Sequence, residues 1–137
     1  MSREKVKITT VEIQTTNTTG KFTFPNDNLL NGKTIVGIFV PDNTTDDLVA
    51  PSGRPVVPND AVNAAVLDVK VNGNDSQIYT VPLKYFQENS GDRQVRKMFL
   101  ENVNPGTSTV TFNPDPVSGN QRYDTTDSVL LVVEYID

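Results

Sequence analysis

Three aspartates, Asp42, Asp46 and Asp47, fall close together in one polar stretch. Hard cations such as calcium want several oxygens on one short loop, so this is the first place to look for metal chemistry. The stretch lacks an alternating Asp-x-Asp-x-Asp-Gly order and no glutamate closes the shell, so solvated turn residues are the expected role. Asp115, Asp124 and Asp127 are no better arranged. The matching feature of opposite sign is Arg93, Arg96 and Lys97, the one compact basic cluster. On a strand edge such charges block stray pairing. Their sign also suits them to meet the acidic stretch of a neighbouring copy.

Other chemistry is limited by what the chain lacks. With no histidine, the usual proton shuttle near neutral pH and the commonest metal ligand is missing. With no cysteine, thiol nucleophiles, thiolate metal sites and disulfides go as well. No residue set pairs a nucleophile with a base, or a Gly-rich loop with a strand and helix. The chain is therefore expected not to be an enzyme and to use no cofactor or metal. Asn17-Thr18-Thr19, Asn43-Thr44-Thr45 and Asn74-Asp75-Ser76 match a glycosylation acceptor pattern that Asn and Thr abundance produces by chance.

Net charge is −5 and tryptophan is absent, which argues against phosphate backbones and base-stacking platforms. No nucleic-acid partner is expected. The longest apolar runs, 35–40 and 129–133, fall far short of the roughly 20 residues of a bilayer-spanning helix. The charged start, Met1 to Lys7, lacks the apolar core of a secretory signal, so manufacture in a cytoplasm is expected.

The elements that must position these residues are strands. Nineteen valines and sixteen threonines against four alanines favour pleated surface over helix. Prolines, glycines and asparagines cluster between apolar runs as turns. The reading is one all-β domain over 1–137, an antiparallel β-sandwich of about eight strands, jelly-roll or immunoglobulin-like, with little helix.

The first strand covers 5–15, where Val6 and Ile8 share one phase and Val11 and Ile13 the other, so a bulge is expected near Thr9-Thr10. Phe22 and Phe24 mark a short second strand. Residues 33–40 are apolar on both faces, as in a strand covered on both sides. Residues 65–71 alternate cleanly, Asn72-Gly73 signals a hairpin, and 77–81 return. A strand at 95–100 leads through Asn104-Pro105-Gly106 into 107–112, and 129–136 closes the chain. The one helical turn expected is 82–87, opened by Pro82.

Residues 41–63 do not fit this scheme, because loops of that length in a small domain are usually functional, disordered, or hide a strand. Val56-Val57 suits a short edge strand. The rest reads as a Pro-rich contact arm, making Asp42, Asp46, Asp47, Leu48, Val49, Arg54, Val56 and Val57 interface candidates together with Arg93, Arg96 and Lys97.

Leu30-Asn31-Gly32-Lys33 before a two-faced strand, then Pro51-Ser52-Gly53-Arg54-Pro55, then Val81-Pro82-Leu83 with Phe86, then a β-branched last strand, resembles small virion proteins of tailed bacteriophages. The likeness is to capsid auxiliary (decoration) and head-fibre proteins, of crAss-like phages among others. It implies a virion protein that binds the major capsid protein or other virion proteins through exposed loops, as a homo-oligomer or lattice-bound copies. It carries no functional residue across. A carbohydrate- or cell-surface-binding, adhesin-like sandwich reads the same way from composition.

Overall fold

The computed structural model describes residues 5–25, 29–87 and 96–137. Among the described residues eight strands form: β1 Lys7–Gln14, β2 Lys21–Thr23, β3 Thr34–Phe39, β4 Ala65–Val71, β5 Asn74–Pro82, β6 Arg96–Leu100, β7 Val103–Phe112 and β8 Ser128–Ile136. A five-residue helix, α1 Asn59–Asn63, and a 3-10 turn, Leu83–Phe86, complete the elements. Among the described residues no helix is long and apolar enough to cross a membrane.

The strands pair first with last: β1 with β8, β2 with β7, β3 with β6 and β4 with β5, all antiparallel. This is a ribbon folded at the β4–β5 turn, where Gly73 takes a φ of 78° that a side chain would resist. Two further pairings, β3 with β8 and β4 with β7, roll the ribbon into sheets ordered β1-β8-β3-β6 and β2-β7-β4-β5. That interleaved order is a jelly roll, which settles the choice the sequence left open.

The inner faces meet in one core. Ile35, Leu67, Val69, Val103, Val110, Val129, Leu131 and Val133 have no exposed surface there. Each such side chain contributes roughly 1.5–3 kcal/mol by leaving water. β4 shows the strict alternation that its sequence promised, with Ala65, Leu67, Val69 and Val71 inward.

The irregularities lie elsewhere than expected. β1 runs against β8 without a shift, from Lys7 opposite Tyr135 to Gln14 opposite Ser128, so there is no bulge at Thr9-Thr10. The phase slips because Val6 and Ile8 face outward. The register shifts instead in β3, between Ile35 and Gly37. Asn104-Pro105-Gly106 is not a turn before a strand but lies within β7, where residues 105–108 bow out opposite Val69. Ser108, fully buried, bridges the gap: its Oγ accepts from Lys70 N at 3.1 Å and donates to Asn104 O at 2.8 Å.

Residues 41–63 are not a free arm. Pro58 opens α1, which sequence reasoning missed because five residues show no helical period. Val56 and Val57 do extend as a strand would. Val57 N donates to Ser128 O, and Ser128 N donates to Pro55 O, which continues the β8 ladder beyond the end of β3. Asn43, 3% exposed, ties the segment inward: its Nδ2 donates to Val56 O and Val57 O, and its Oδ1 accepts from Leu48 N.

Replacing Asn43 with Ala strands those buried backbone groups, and an orphaned group costs about 1–3 kcal/mol. The expected result is a urea midpoint shift of that size with an unchanged m-value; no shift would mean the brace is idle.

Candidate functional site

The long connections, 15–20, 40–64 and 113–127, gather at one end of the roll. Three interactions hold them. Phe22, Phe112 and Tyr123 stack edge-on or tilted, with centroids 4.8–6.1 Å apart, and Tyr123 Oη donates to Asn17 O at 2.9 Å. Thr15, fully buried, donates from Oγ1 towards Asp124 O and Asp127 O at 2.8 and 2.9 Å. The Arg54 guanidinium donates to Asp127 O, Thr125 O and Ser128 Oγ. Gly20 seals the packing, since a Cβ there would stand 2.7 Å from Gln121 Nε2 and 2.9 Å from Phe112 O.

Between these loops lies a polar cleft of about 280 Å³ lined by Asp46, Gln121, Arg122, Asp124, Thr126 and Asp127, with Pro55, Val56 and Pro58 on its apolar side. Asp46 sits in the left-handed region at φ 58°. Gln121 Oε1 is buried and has no hydrogen-bond partner among the described residues. Burial raises the Asp127 pKa; a bond from Asp124 N opposes that, and the charges of Asp124 and Asp46 add to the rise. Among the described residues no group of three or more acids is placed to hold a metal ion.

The sequence-nominated residues scatter. Asp42 accepts from Thr44 and Asn59, which lowers its pKa, and Asp47 accepts from Thr45 Oγ1. Of these three aspartates Asp46 alone lines the cleft. Leu48 packs partly on the core, while Val49 is 63% exposed. Val56 and Val57, expected in a contact surface, are core residues at 5% and 1% exposure, because their backbone continues a sheet. Arg54 is engaged by loop carbonyls and so works as an internal tie. Near it, burial pushes Glu12 up, but bonds from Ser52 and Ser128 and the Arg54 charge together leave its pKa lowered. Arg93 lies outside the described residues. Arg96 and Lys97 fall on β6, an edge strand, opposite Ile38 and Gly37.

Sequence reasoning missed the outer face of the β1-β8-β3-β6 sheet. Val132 lies between the buried Leu131 and Val133 and so points away from the core; in its row stand Phe39 on β3 and Thr10 on β1. Ile136 and Ile8 lie along the same face, and so do Glu134, opposite Ile8, and Glu12, opposite Leu130. Phe99 projects from β6 between Met98 and Leu100, which pack on the core. Ile8 and Phe99 are each 67% exposed, and Val6 is 55% exposed. The signal was present: 35–40 and 129–133 are apolar on both faces. Coverage on both sides was the expectation for 33–40, yet Phe39 remains half-buried, as do Val132 and Ile136 on β8, because the roll covers only the inner side. On β2, β4 and β7 of the other sheet the outward positions include Lys21, Thr23, Asp68, Lys70 and Thr111 beside Val66, and Thr80 donates to Asp68.

The Asp127 shift has a sign that can be measured. A carboxyl whose folded pKa is raised gives its stabilisation below the unfolded pKa and loses it as pH rises through the folded value. Asp127→Asn keeps an acceptor for Asp124 N and removes the buried charge, so at neutral pH it should melt above the parent, and the gap should close as pH falls through the aspartate range. A gap independent of pH would assign the effect to something other than this charge. No family model, no curated protein and no solved structure matches this chain.

Proposed function

We propose that this domain is a structural protein of a virus particle, an auxiliary or decoration component of bacteriophage capsid type, working by protein–protein association. The observation that carries the reading is the outer face of the β1-β8-β3-β6 sheet, where Ile8 and Phe99 stand two-thirds exposed and Phe39, Val132 and Ile136 half-buried, with Glu134 among them. Large apolar side chains held out in water mark association sites when they gather on one face. Covering it releases roughly 25 cal/mol per Å² of apolar area, from which the costs of association are subtracted. The rolled ribbon adds support by analogy, since jelly rolls serve in viral capsid and lectin domains.

In this reading the partners are virion proteins, the major capsid protein and further copies among them. Mass spectrometry of purified particles should find the chain at a copy number fixed relative to the coat protein. Ile8→Asp combined with Phe99→Asp should strip it from particles while the isolated variant melts close to the parent, both sites being surface positions. Absence from particles, or a variant retained at the parental copy number, would sink the proposal.

A second reading, a carbohydrate-binding module, is favoured by the polar cleft, where Gln121 Oε1 offers an unused acceptor beside Arg122 and three aspartates. Any ligand that prefers the native state raises its melting temperature. A glycan that does so for the parent but not for Arg122→Ala would support this reading; a flat response across a glycan panel removes it.

A further inference from the structure

We infer that Asn72 is a modification site: its side-chain amide is hydrolysed spontaneously, with Gly73 N as the internal nucleophile, and the carboxylate that results unlatches the turn end of the roll. This chemistry is separate from the association proposed above. It rests on a difference between two like dipeptides.

The chain holds two Asn-Gly pairs, 31–32 and 72–73. In such a pair the glycine nitrogen, unhindered by a side chain, attacks the asparagine Cγ. A bond forms from N to Cγ, the Cγ–Nδ2 bond breaks, and ammonia leaves with the proton that the backbone nitrogen gave up. Water then opens the cyclic imide at either carbonyl, giving aspartate or isoaspartate. Water is the only co-reactant, and the glycine nitrogen must be free to act.

The fold treats the two nitrogens differently. Gly32 N donates to Val103 O at 2.8 Å, and the turn around it is closed by Lys33 N donating to Leu30 O at 3.0 Å. Attack on Asn31 would break the bond to Val103. Gly73 N has no acceptor among the described residues, Gly73 is exposed, and nothing stands within 4 Å of where its Cβ would be. Exposure of the asparagines alone would rank the pairs the other way, since Asn31 is exposed and Asn72 half-buried.

What restrains Asn72 is its own side chain. Nδ2 donates to Asn31 Oδ1, Asn102 Oδ1 and Val103 O, at 3.0, 3.2 and 3.3 Å. Cγ must leave these acceptors to reach Gly73 N, so the reaction proceeds through local openings of this end. The product then holds the end open. Where a donor stood, a carboxylate faces three acceptor oxygens and adds a negative charge to a chain already at −5. Isoaspartate also lengthens the backbone of the turn between Val71 and Asn74, which pair directly.

The test uses the intact chain, held in mildly alkaline buffer and then digested with trypsin, which leaves the two pairs in separate peptides, 22–33 and 71–84. Mass spectrometry should find 71–84 heavier by one mass unit, in two chromatographic forms, with fragments placing the change at Asn72, while Asn31 stays intact. In urea the two asparagines should convert at similar rates, because only the fold distinguishes them. Asn31→Ala and Asn102→Gly each remove one acceptor, the latter at a φ of 59° that glycine accepts, and each should speed conversion of Asn72 several-fold. Asn43→Ala, which loosens the other end, should not. Asn72→Asp should melt several degrees below the parent. Native chain in which Asn72 stays intact, or converts no faster than Asn31, overturns the site. A rate at Asn72 indifferent to both acceptor variants, or raised as much by Asn43→Ala, overturns the local gate, and Asn72→Asp melting with the parent overturns the unlatching.

Discussion

The pairing of β1 with β8 is the constraint on which the rest of this structure depends. It joins residues more than a hundred positions apart, through eight consecutive register partners from Lys7–Tyr135 to Gln14–Ser128. In the same ribbon, doubled back at Gly73, β2 meets β7, β3 meets β6 and β4 meets β5. Rolling that ribbon gives β8 and β7 partners on both sides and leaves β1, β6, β2 and β5 as edges. Backbone groups that a strand cannot satisfy locally are thereby paired across the ribbon, at the entropic cost of closing long loops.

The roll also separates its two ends. At one, short turns are stitched by asparagines: Asn72 Nδ2 donates to Asn31 Oδ1 at 3.0 Å and Asn102 Oδ1 at 3.2 Å. At the other, the long connections meet, and polar side chains replace the ladder. Thr15 and Arg54 satisfy backbone carbonyls of another loop, and Asn43 satisfies those of its own. A cleft between such loops is a natural place for carboxylates to crowd, which is why the chain's clearest buried acid, Asp127, stands there and not among the aspartates that the sequence puts side by side.

The apolar outer face joins fold to proposed role. A domain that only had to stay folded could place threonine and lysine on that side of β8, as it does on the opposite sheet. Leaving valine, isoleucine and phenylalanine in contact with water costs solubility and gains nothing within one copy.

Much of this was legible in the residues themselves. Strand positions follow from β-branched alternation, and 65–71 and 129–136 could be placed to within a residue because inward positions there are apolar without exception. The Asn72-Gly73 turn followed from local φ demands. What the sequence could not determine is whatever depends on partners far along the chain. Val56 and Val57 look like a short edge strand on an exposed arm until pairing with Ser128 draws them into the core. Asn104-Pro105-Gly106 looks like a turn until Ser108 supplies the missing ladder bond. The two-faced strands looked fully enclosed, and only the roll decides which face the second sheet covers. Local backbone preference is written residue by residue, whereas coverage is a property of the closed sheets, so only the tertiary structure could reveal the exposed side.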